Sequence, residues 1–147
     1  MVKSGIRILI LTMTVMIAAI AWPVLRSAVT RAQEQSPQVV EMTAKKYEFD
    51  PSVVHVKAGT TLVLKITATD RAHGFGISTV AEGAPKGTEP GLVLAAPPEK
   101  DCYRLEKGQQ VTVQIEAKTP GTYNFKCCVR CGMGHGRMKG ALIVDPS

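Results

Sequence analysis

The stretch Cys127-Cys128-Val129-Arg130-Cys131-Gly132-Met133-Gly134-His135-Gly136-Arg137-Met138 concentrates metal-binding side chains near the C-terminus. Thiols, an imidazole and thioether groups fall within these twelve residues, and a His-Gly-Phe stretch at 73–75 lies far upstream. Among the first-row metals, a mixture of thiolate, imidazole and thioether ligands favours copper. The stretch therefore predicts a copper site and, with it, electron transfer.

The spacing within this stretch is C-x3-C-x3-H-x2-M, formed by Cys127, Cys131, His135 and Met138. Glycines at 132, 134 and 136 argue against a regular helix and for a tight loop between two strands. Such a loop at one end of a β-sandwich directs several side chains toward one point. His73 follows Asp70-Arg71, where an earlier strand is expected to end, and is the candidate for a remote ligand on the rigid scaffold.

Short runs rich in β-branched and aromatic residues occupy most of the chain outside this loop. They lie at 39–45, 47–49, 53–56, 61–67, 111–115, 123–125 and 141–144. Apolar and polar residues alternate in the runs 61–67 and 111–115, and nothing after residue 32 has a sustained helical period. The pattern predicts an all-β fold, an antiparallel β-sandwich or small barrel. Residues 79–104 have no such run and are predicted to form a long surface loop.

The N-terminal segment has the charge pattern of an export signal. Lys3 and Arg7 precede an apolar run at 8–25, and Arg26 and Arg31 follow it. Cleavage after residue 28 or 32 would release the rest of the chain. If the segment is retained, it forms a single membrane anchor with Lys3 and Arg7 in the cytoplasm. The length of the apolar run favours this second outcome.

The length and the net charge of the chain limit the number of domains and the kind of partner. A chain of 147 residues forms one domain and little more, so the expected division is 1–32 (signal peptide or anchor) and 33–147 (folded domain). Either fate of the N-terminus puts that domain outside the cytoplasm, on the periplasmic side. The net charge of +6 includes four basic residues within 1–32, where there is no acid, so the rest carries +2. No polybasic tract remains, which argues against nucleic-acid binding.

From about residue 40 to 145 the chain resembles the CuA cupredoxin domain of cytochrome c oxidase subunit II. Within that family it is most similar to the short, single-anchor form of bacterial B-type oxidases. The resemblance rests on Ala-His-Gly-Phe at 72–75, Pro-Gly-Thr-Tyr at 120–123 and Cys-Gly-Met-Gly-His at 131–135. It implies a cupredoxin-like Greek-key β-sandwich or barrel, preceded by one N-terminal hydrophobic helix.

The resemblance also implies a dinuclear copper centre with six ligands: His73, Cys127, Val129, Cys131, His135 and Met138. In the family, two cysteine sulfurs bridge the coppers and one histidine caps each metal. A methionine is a weak ligand, and a backbone carbonyl two residues after the first cysteine completes the set. Val129 occupies that last position, where the family usually has Glu or Gln.

The function implied by the resemblance is electron transfer within a larger enzyme. A cytochrome c or a small copper protein would donate single electrons, and subunit I of a haem-copper oxidase would accept them. The chain would then be a subunit and not a complete enzyme. Two rival functions are a free-standing electron carrier and a periplasmic copper-delivery protein.

Two other interpretations of the ligand cluster stay open. A mononuclear type 1 copper site would use His73, Cys131, His135 and Met138. It would leave Cys127 without a role, and this second cysteine weighs against it. A structural zinc site or disulfides would have no use for Met138. The Cys-x-x-Cys spacing at 128–131 also resembles a thiol-redox motif, but the βαβ context is missing.

Five residues that are not among the six candidate ligands have expected roles of their own. Cys102 and Cys128 can form a disulfide in an oxidising compartment; otherwise Cys128 is a buried small residue or an alternative ligand. His55 is expected to be a partly exposed structural histidine, and Met133 to lie at the rim of the site. Met42 is expected in the core or at its edge.

Overall fold

The computed structural model describes residues 36–147, and these residues form ten strands and no α-helix. The strands are β1 (Gln38–Lys45), β2 (Glu48–Asp50), β3 (Val53–Lys57), β4 (Thr61–Ala68), β5 (His73–Ile77), β6 (Leu92–Leu94), β7 (Tyr103–Leu105), β8 (Gln110–Ala117), β9 (Gly121–Lys126) and β10 (Lys139–Asp145). They form two five-stranded sheets, in the orders β2-β1-β4-β8-β6 and β3-β10-β9-β5-β7. The all-β class predicted from the sequence is confirmed.

The core lies between the sheets, and strand alternation explains which side chains enter it. In β4, Leu62, Leu64 and Ile66 are fully buried. In β8, Val113 and Ile115 are buried while the polar residues between them are exposed. Burying one such side chain contributes about 1.5–3 kcal/mol relative to leaving it in water. The period-two pattern of the sequence therefore supplies the contacts that hold the two sheets together.

The sheets are mixed, so the expectation of antiparallel pairing is wrong for two strand pairs. β1 runs parallel to β4, and β3 runs parallel to β10. The cause is the route of the chain, which pairs β2 with β1, crosses to the other sheet as β3 and returns beside β1 as β4. Alternation within a strand specifies which of its faces is buried, but it does not specify which strand lies beside it. The strand pairing therefore could not be predicted from the pattern.

The segment 79–104 is more regular than predicted. It contains β6, which pairs antiparallel with β8 from Leu92 opposite Ala117, and the first residues of β7. A tight turn at Glu99–Asp101, with positive φ at Lys100 and Asp101, lies between them. Leu92 is fully buried, which explains why this stretch adds a strand at the edge of the first sheet. The predicted long loop is therefore wrong in this part.

One end of the second sheet brings the candidate ligands together. β9 and β10 are antiparallel neighbours, with Lys126 opposite Lys139, so residues 127–138 form the loop that joins them. β5 is antiparallel to β9, with Gly76 opposite Lys126, so His73 at the start of β5 lies at the same end. The fold thus positions the remote histidine beside the ligand loop.

The predicted hydrophobic helix and the choice between signal peptide and anchor concern residues outside the described part of the chain. Within residues 36–147, no helix is long and apolar enough to span a bilayer. The boundary between residues 32 and 33 stays a prediction.

Candidate metal centre

His73 has a buried imidazole whose two ring nitrogens lie in different surroundings. It is the first residue of β5, not the end of a strand as predicted, and its side chain is 0% exposed. Its Nε2 lies 2.7 Å from Asp70 Oδ1, whereas Nδ1 is buried without a hydrogen-bond partner among the described residues. A buried polar nitrogen without a partner costs about 1–3 kcal/mol. A metal ion bound at Nδ1 would remove that cost.

Asp70 fixes the orientation of the His73 ring. Its other carboxylate oxygen accepts a hydrogen bond from the backbone N–H of Lys46, at 3.2 Å. Partial burial alone would raise the pKa of Asp70. The hydrogen bonds from His73 and Lys46 and the charge of His73 outweigh this effect, so the pKa lies below its usual value. When the imidazole is neutral, an ionised carboxylate on Nε2–H leaves the Nδ1 lone pair directed at the site, as carboxylate–histidine pairs do in metal proteins.

Two thiols lie next to this nitrogen. Cys127 and Cys131 are each 3% exposed, and their sulfur atoms are 3.7 Å apart. The ligand atoms of His73, Cys127 and Cys131 all lie within 4.8 Å of one another. Two sulfur atoms bound at about 2.3 Å to one tetrahedral metal ion are about 3.8 Å apart, whereas a disulfide needs about 2.05 Å. The spacing therefore suits an ion between the thiols and not a bond joining them.

The other predicted donors surround the same sulfur pair. Met138 Sδ lies 3.8 Å from Cys131 Sγ, and His135 Nδ1 lies 3.7 Å from Cys131 Sγ. The carbonyl oxygen of Val129 lies 3.1 Å from Cys127 Sγ. Met138 is buried and His135 is half-buried. The structure thus brings all six predicted donors together, and their role as copper ligands stays a prediction.

Backbone hydrogen bonds close the ligand loop on itself. The N–H of Cys127 donates to the carbonyl of Met138 at 2.9 Å, which joins the first and last residues of the loop. A turn of 3-10 helix at His135–Arg137 places His135 and Met138 on consecutive turns. Arg71 donates from Nη1 to the carbonyl of Cys131 at 2.7 Å. These bonds hold the donors in position without help from a metal.

Tyr47 explains two of the loop glycines. A Cβ atom at Gly134 would collide with the Tyr47 ring, and one at Gly132 would lie 2.7 Å from the Tyr47 hydroxyl oxygen. Gly132 also has φ = +129°, which disfavours other residues. By contrast, a Cβ atom at Gly136 would meet nothing within 4 Å. The loop therefore lies flat against Tyr47 because it lacks side chains there.

An aromatic cluster supports the two strands that carry the ligands. Phe75 lies two residues after His73, and Phe125 lies two residues before Cys127. The rings of Phe75 and Phe125 are 5.2 Å apart between centroids, and Phe49 packs edge-on against both. All three rings are buried. Such close packing restricts movement of the strand ends below the site.

The site electrostatics favour a neutral Cys131 thiol when no metal is bound. Burial raises the pKa of Cys131 to about 11, and the hydrogen bond and charge of Cys127 act in the same direction. The charge of Arg71 opposes this rise only in part. Cys131 therefore carries its proton at neutral pH, and a metal that binds the thiolate must displace that proton.

The two remaining cysteines form the disulfide that the sequence left open. Cys102 and Cys128 are bonded, so Cys128 is not an alternative ligand. The bridge links the turn before β7 to the ligand loop. A Cβ atom at Gly74 would lie 2.6 Å from Cys128 Sγ and 2.9 Å from Cys102 Sγ, so this glycine gives the bridge room beside His73.

Three other expectations from the sequence are confirmed. His55 is exposed, with Nδ1 3.2 Å from Asp145 Oδ2, Met133 is fully exposed at the loop, and Met42 is buried. From the sequence alone, Tyr47, Asp70 and Arg71 had no expected role. Only Asp70 carried a usable signal, because a carboxylate three residues before a candidate histidine ligand is a natural partner for its second nitrogen.

The sequence also matches a known protein family. A family model described as "Multicopper oxidase" matches residues 22–147. The chain belongs to the multicopper oxidase family. The family match supports copper as the metal, which is the metal predicted from the soft ligands of the cluster.

The chain is also similar to cytochrome c oxidase subunit 2 of Thermus thermophilus. It is 30% identical over 105 residues, which cover 71% of this chain and 64% of that protein. A second subunit 2, from a particular strain of that species, is also 30% identical, and 51% of its length is covered. The chain thus spans about half to two thirds of these relatives. The predicted resemblance to the CuA-type cupredoxin domain of subunit II is confirmed.

Solved structures support the fold. A heme-copper terminal oxidase dimer, determined by cryo-EM, has a chain with a TM-score of 0.54 and 22% identity, covering 77% of this chain and 68% of that chain. Auracyanin A, a "blue" copper protein of Chloroflexus aurantiacus, has a TM-score of 0.53 and 18% identity, covering 75% of this chain and all of that chain. The likeness confirms the predicted cupredoxin fold.

Proposed function

We propose that this chain transfers electrons through a dinuclear copper centre of the CuA type. The observation that carries the proposal is the convergence of two buried thiols on the unpartnered Nδ1 of His73. The six donors would be His73, Cys127, Val129, Cys131, His135 and Met138. When bound, such a centre supplies one-electron redox chemistry with the charge shared between two metals.

The second thiol favours two copper ions over one. A mononuclear type 1 site needs one cysteine, two histidines and a weak axial ligand, which Cys131, His73, His135 and Met138 would provide. Cys127 would then be an unused buried thiol 3.7 Å from Cys131 Sγ. Its neighbour on the other side is the Val129 carbonyl oxygen, at 3.1 Å. A dinuclear centre gives both groups a role.

The protein contributes fixed ligand positions, exclusion of water from the thiols and one partly exposed side. Asp70 holds His73 in place, and burial of both thiols keeps water away from them. Fixed ligand positions reduce the structural change that accompanies a change of charge, which favours fast electron transfer. His135 is half-buried, so an electron can enter or leave on its side.

The expected partners follow from the relatives. A cytochrome c or a small copper protein is the proposed donor, and subunit I of a haem-copper oxidase is the proposed acceptor, because the relatives are oxidase subunits 2. We place the domain outside the cytoplasm on the periplasmic side. The Cys102–Cys128 disulfide supports this location, since such bonds persist in oxidising compartments.

Copper stoichiometry tests the proposal. The copper-loaded chain should bind two ions, and Cys127→Ser should bind at most one because the second bridging sulfur is lost. The matched control is the double variant Cys102→Ser/Cys128→Ser, which removes the other two sulfurs and should still bind two ions. Metal analysis after gel filtration gives the counts. One ion in the native chain, unchanged in Cys127→Ser, would favour the type 1 site instead.

A further inference from the structure

The ligand loop and its two ends carry an unbalanced positive charge. Between Glu116 and Asp145 the chain has no acid, and Lys126, Arg130, Arg137 and Lys139 lie within or beside the loop. All four are exposed. None forms an ion pair within residues 36–147. We call these four residues the cationic rim.

Two members of the rim stand directly opposite each other. Lys126 ends β9 and Lys139 begins β10, and they are register partners in the antiparallel pair. Like charges directly opposite each other destabilise a sheet. They share a cleft with Glu82 and Asp101, whose two carboxylates balance the charge of the two lysines there. Arg130 and Arg137 therefore leave an excess of two positive charges around the loop.

The acids nearest the metal centre do not cancel this excess. Asp70 is bonded to His73, and Arg71, beside it in sequence, balances its charge. Arg71 itself donates to the Cys131 carbonyl. A net positive charge therefore remains around the loop in the isolated chain, and it would attract an anionic partner.

The centre of the loop is apolar and next to a candidate ligand. Met133 is fully exposed, and it lines a small depression together with Arg130, Gly132 and His135. An exposed methionine is an adaptable contact for a partner surface. An apolar centre within a charged rim is the usual anatomy of a protein interface.

We propose that Met133 and the cationic rim form the docking surface for an acidic one-electron redox protein. This rests on the proposed function, because the partner would exchange its electron through His135. One electron passes from the reduced partner to the oxidised copper centre, and no bond is formed or broken. Carboxylates around the partner's redox group would pair with the rim, while its exposed redox edge contacts Met133.

The test compares two c-type cytochromes of similar reduction potential, one acidic and one basic. Calorimetry measures their binding to the copper-loaded full chain. The acidic cytochrome should bind more tightly, and its affinity should fall at least tenfold when ionic strength rises from about 20 to about 200 mM. Equal or tighter binding of the basic cytochrome would overturn the proposal, as would binding that ignores salt.

Charge-reversal variants locate the surface. Lys126→Glu/Lys139→Glu should weaken binding of the acidic cytochrome at least about tenfold at low salt. The matched control, Lys57→Glu/Lys86→Glu, makes the same change at exposed lysines in β3 and in the β5–β6 connection, away from the ligand loop, and should change binding less than about twofold. Equal losses in both variants would overturn the location.

Two further readouts separate the alternatives. Stopped-flow measurement in the same mixtures reports electron transfer. Salt-sensitive binding without transfer would contradict the proposed function and leave the docking surface intact, while transfer with salt-insensitive binding would contradict the docking surface alone. Vesicles of anionic phosphatidylglycerol test a membrane partner. If they bind through Lys126 and Lys139 while the acidic cytochrome does not bind, the proposal is wrong.

Discussion

Asp70 is the residue on which the orientation of His73 depends. Its carboxylate lies 2.7 Å from Nε2, so Asp70→Ala should free the ring and weaken copper binding about 10- to 100-fold. Competition with a copper(I) chelator measures the affinity. Asp145→Ala is the matched control, because it removes the exposed partner of His55 at 3.2 Å. Equal affinities in the two variants would contradict the role of Asp70.

The raised pKa of Cys131 predicts how copper binding depends on pH. With a pKa of about 11, this thiol is protonated at pH 7–9 in the metal-free protein, and copper must displace its proton. Raising the pH lowers the cost of that displacement. The apparent affinity should therefore increase with pH, by up to about tenfold per unit for this proton. An affinity that is constant across this window would contradict the expected pH dependence.

The single residues of the site were only partly accessible from the sequence. Spacing and soft-ligand chemistry predicted the candidate donors His73, Cys127, Cys131, His135 and Met138, and the structure brings these residues together. The residues that hold them were missed, because hydrogen bonds such as Arg71 to the Cys131 carbonyl join positions 60 apart. No local pattern encodes a contact of this range.

At the scale of elements, the ligand loop depends on its fit against Tyr47. Gly134→Ala would put a methyl group into that ring and should destabilise the protein by about 1–3 kcal/mol. Gly136→Ala is the control, since its Cβ atom meets nothing within 4 Å. Urea unfolding of the metal-free protein measures the difference. In a Tyr47→Ala background Gly134→Ala should cost less stability, and equal stability of the two glycine variants would contradict the fit.

The strands themselves were predicted well and their pairing was not. Alternation in β4 and β8 gave the buried faces, because burial of one face follows from the pleat. The parallel pairs of β1 with β4 and β3 with β10 were missed, since they depend on where the chain crosses between sheets. β6 was missed because three residues are too few to show a period.

At the scale of the whole molecule, the sandwich acts as a rigid frame that presents one reactive end. The second sheet brings the start of β5 and the β9–β10 loop to the same end, and the aromatic cluster below restricts their movement. A cupredoxin frame of this kind was expected from the resemblance, and the family match and the fold agree with it. The number of copper ions is the claim on which the proposed function depends.

The electron paramagnetic resonance spectrum of the copper-loaded, oxidised chain tests that claim most directly. A dinuclear centre with one unpaired electron shared between two equivalent coppers should give a seven-line hyperfine pattern. The pattern should be lost in Cys127→Ser, because the second bridging sulfur is absent. A four-line pattern from the native chain, with one copper per protein, would contradict the dinuclear centre.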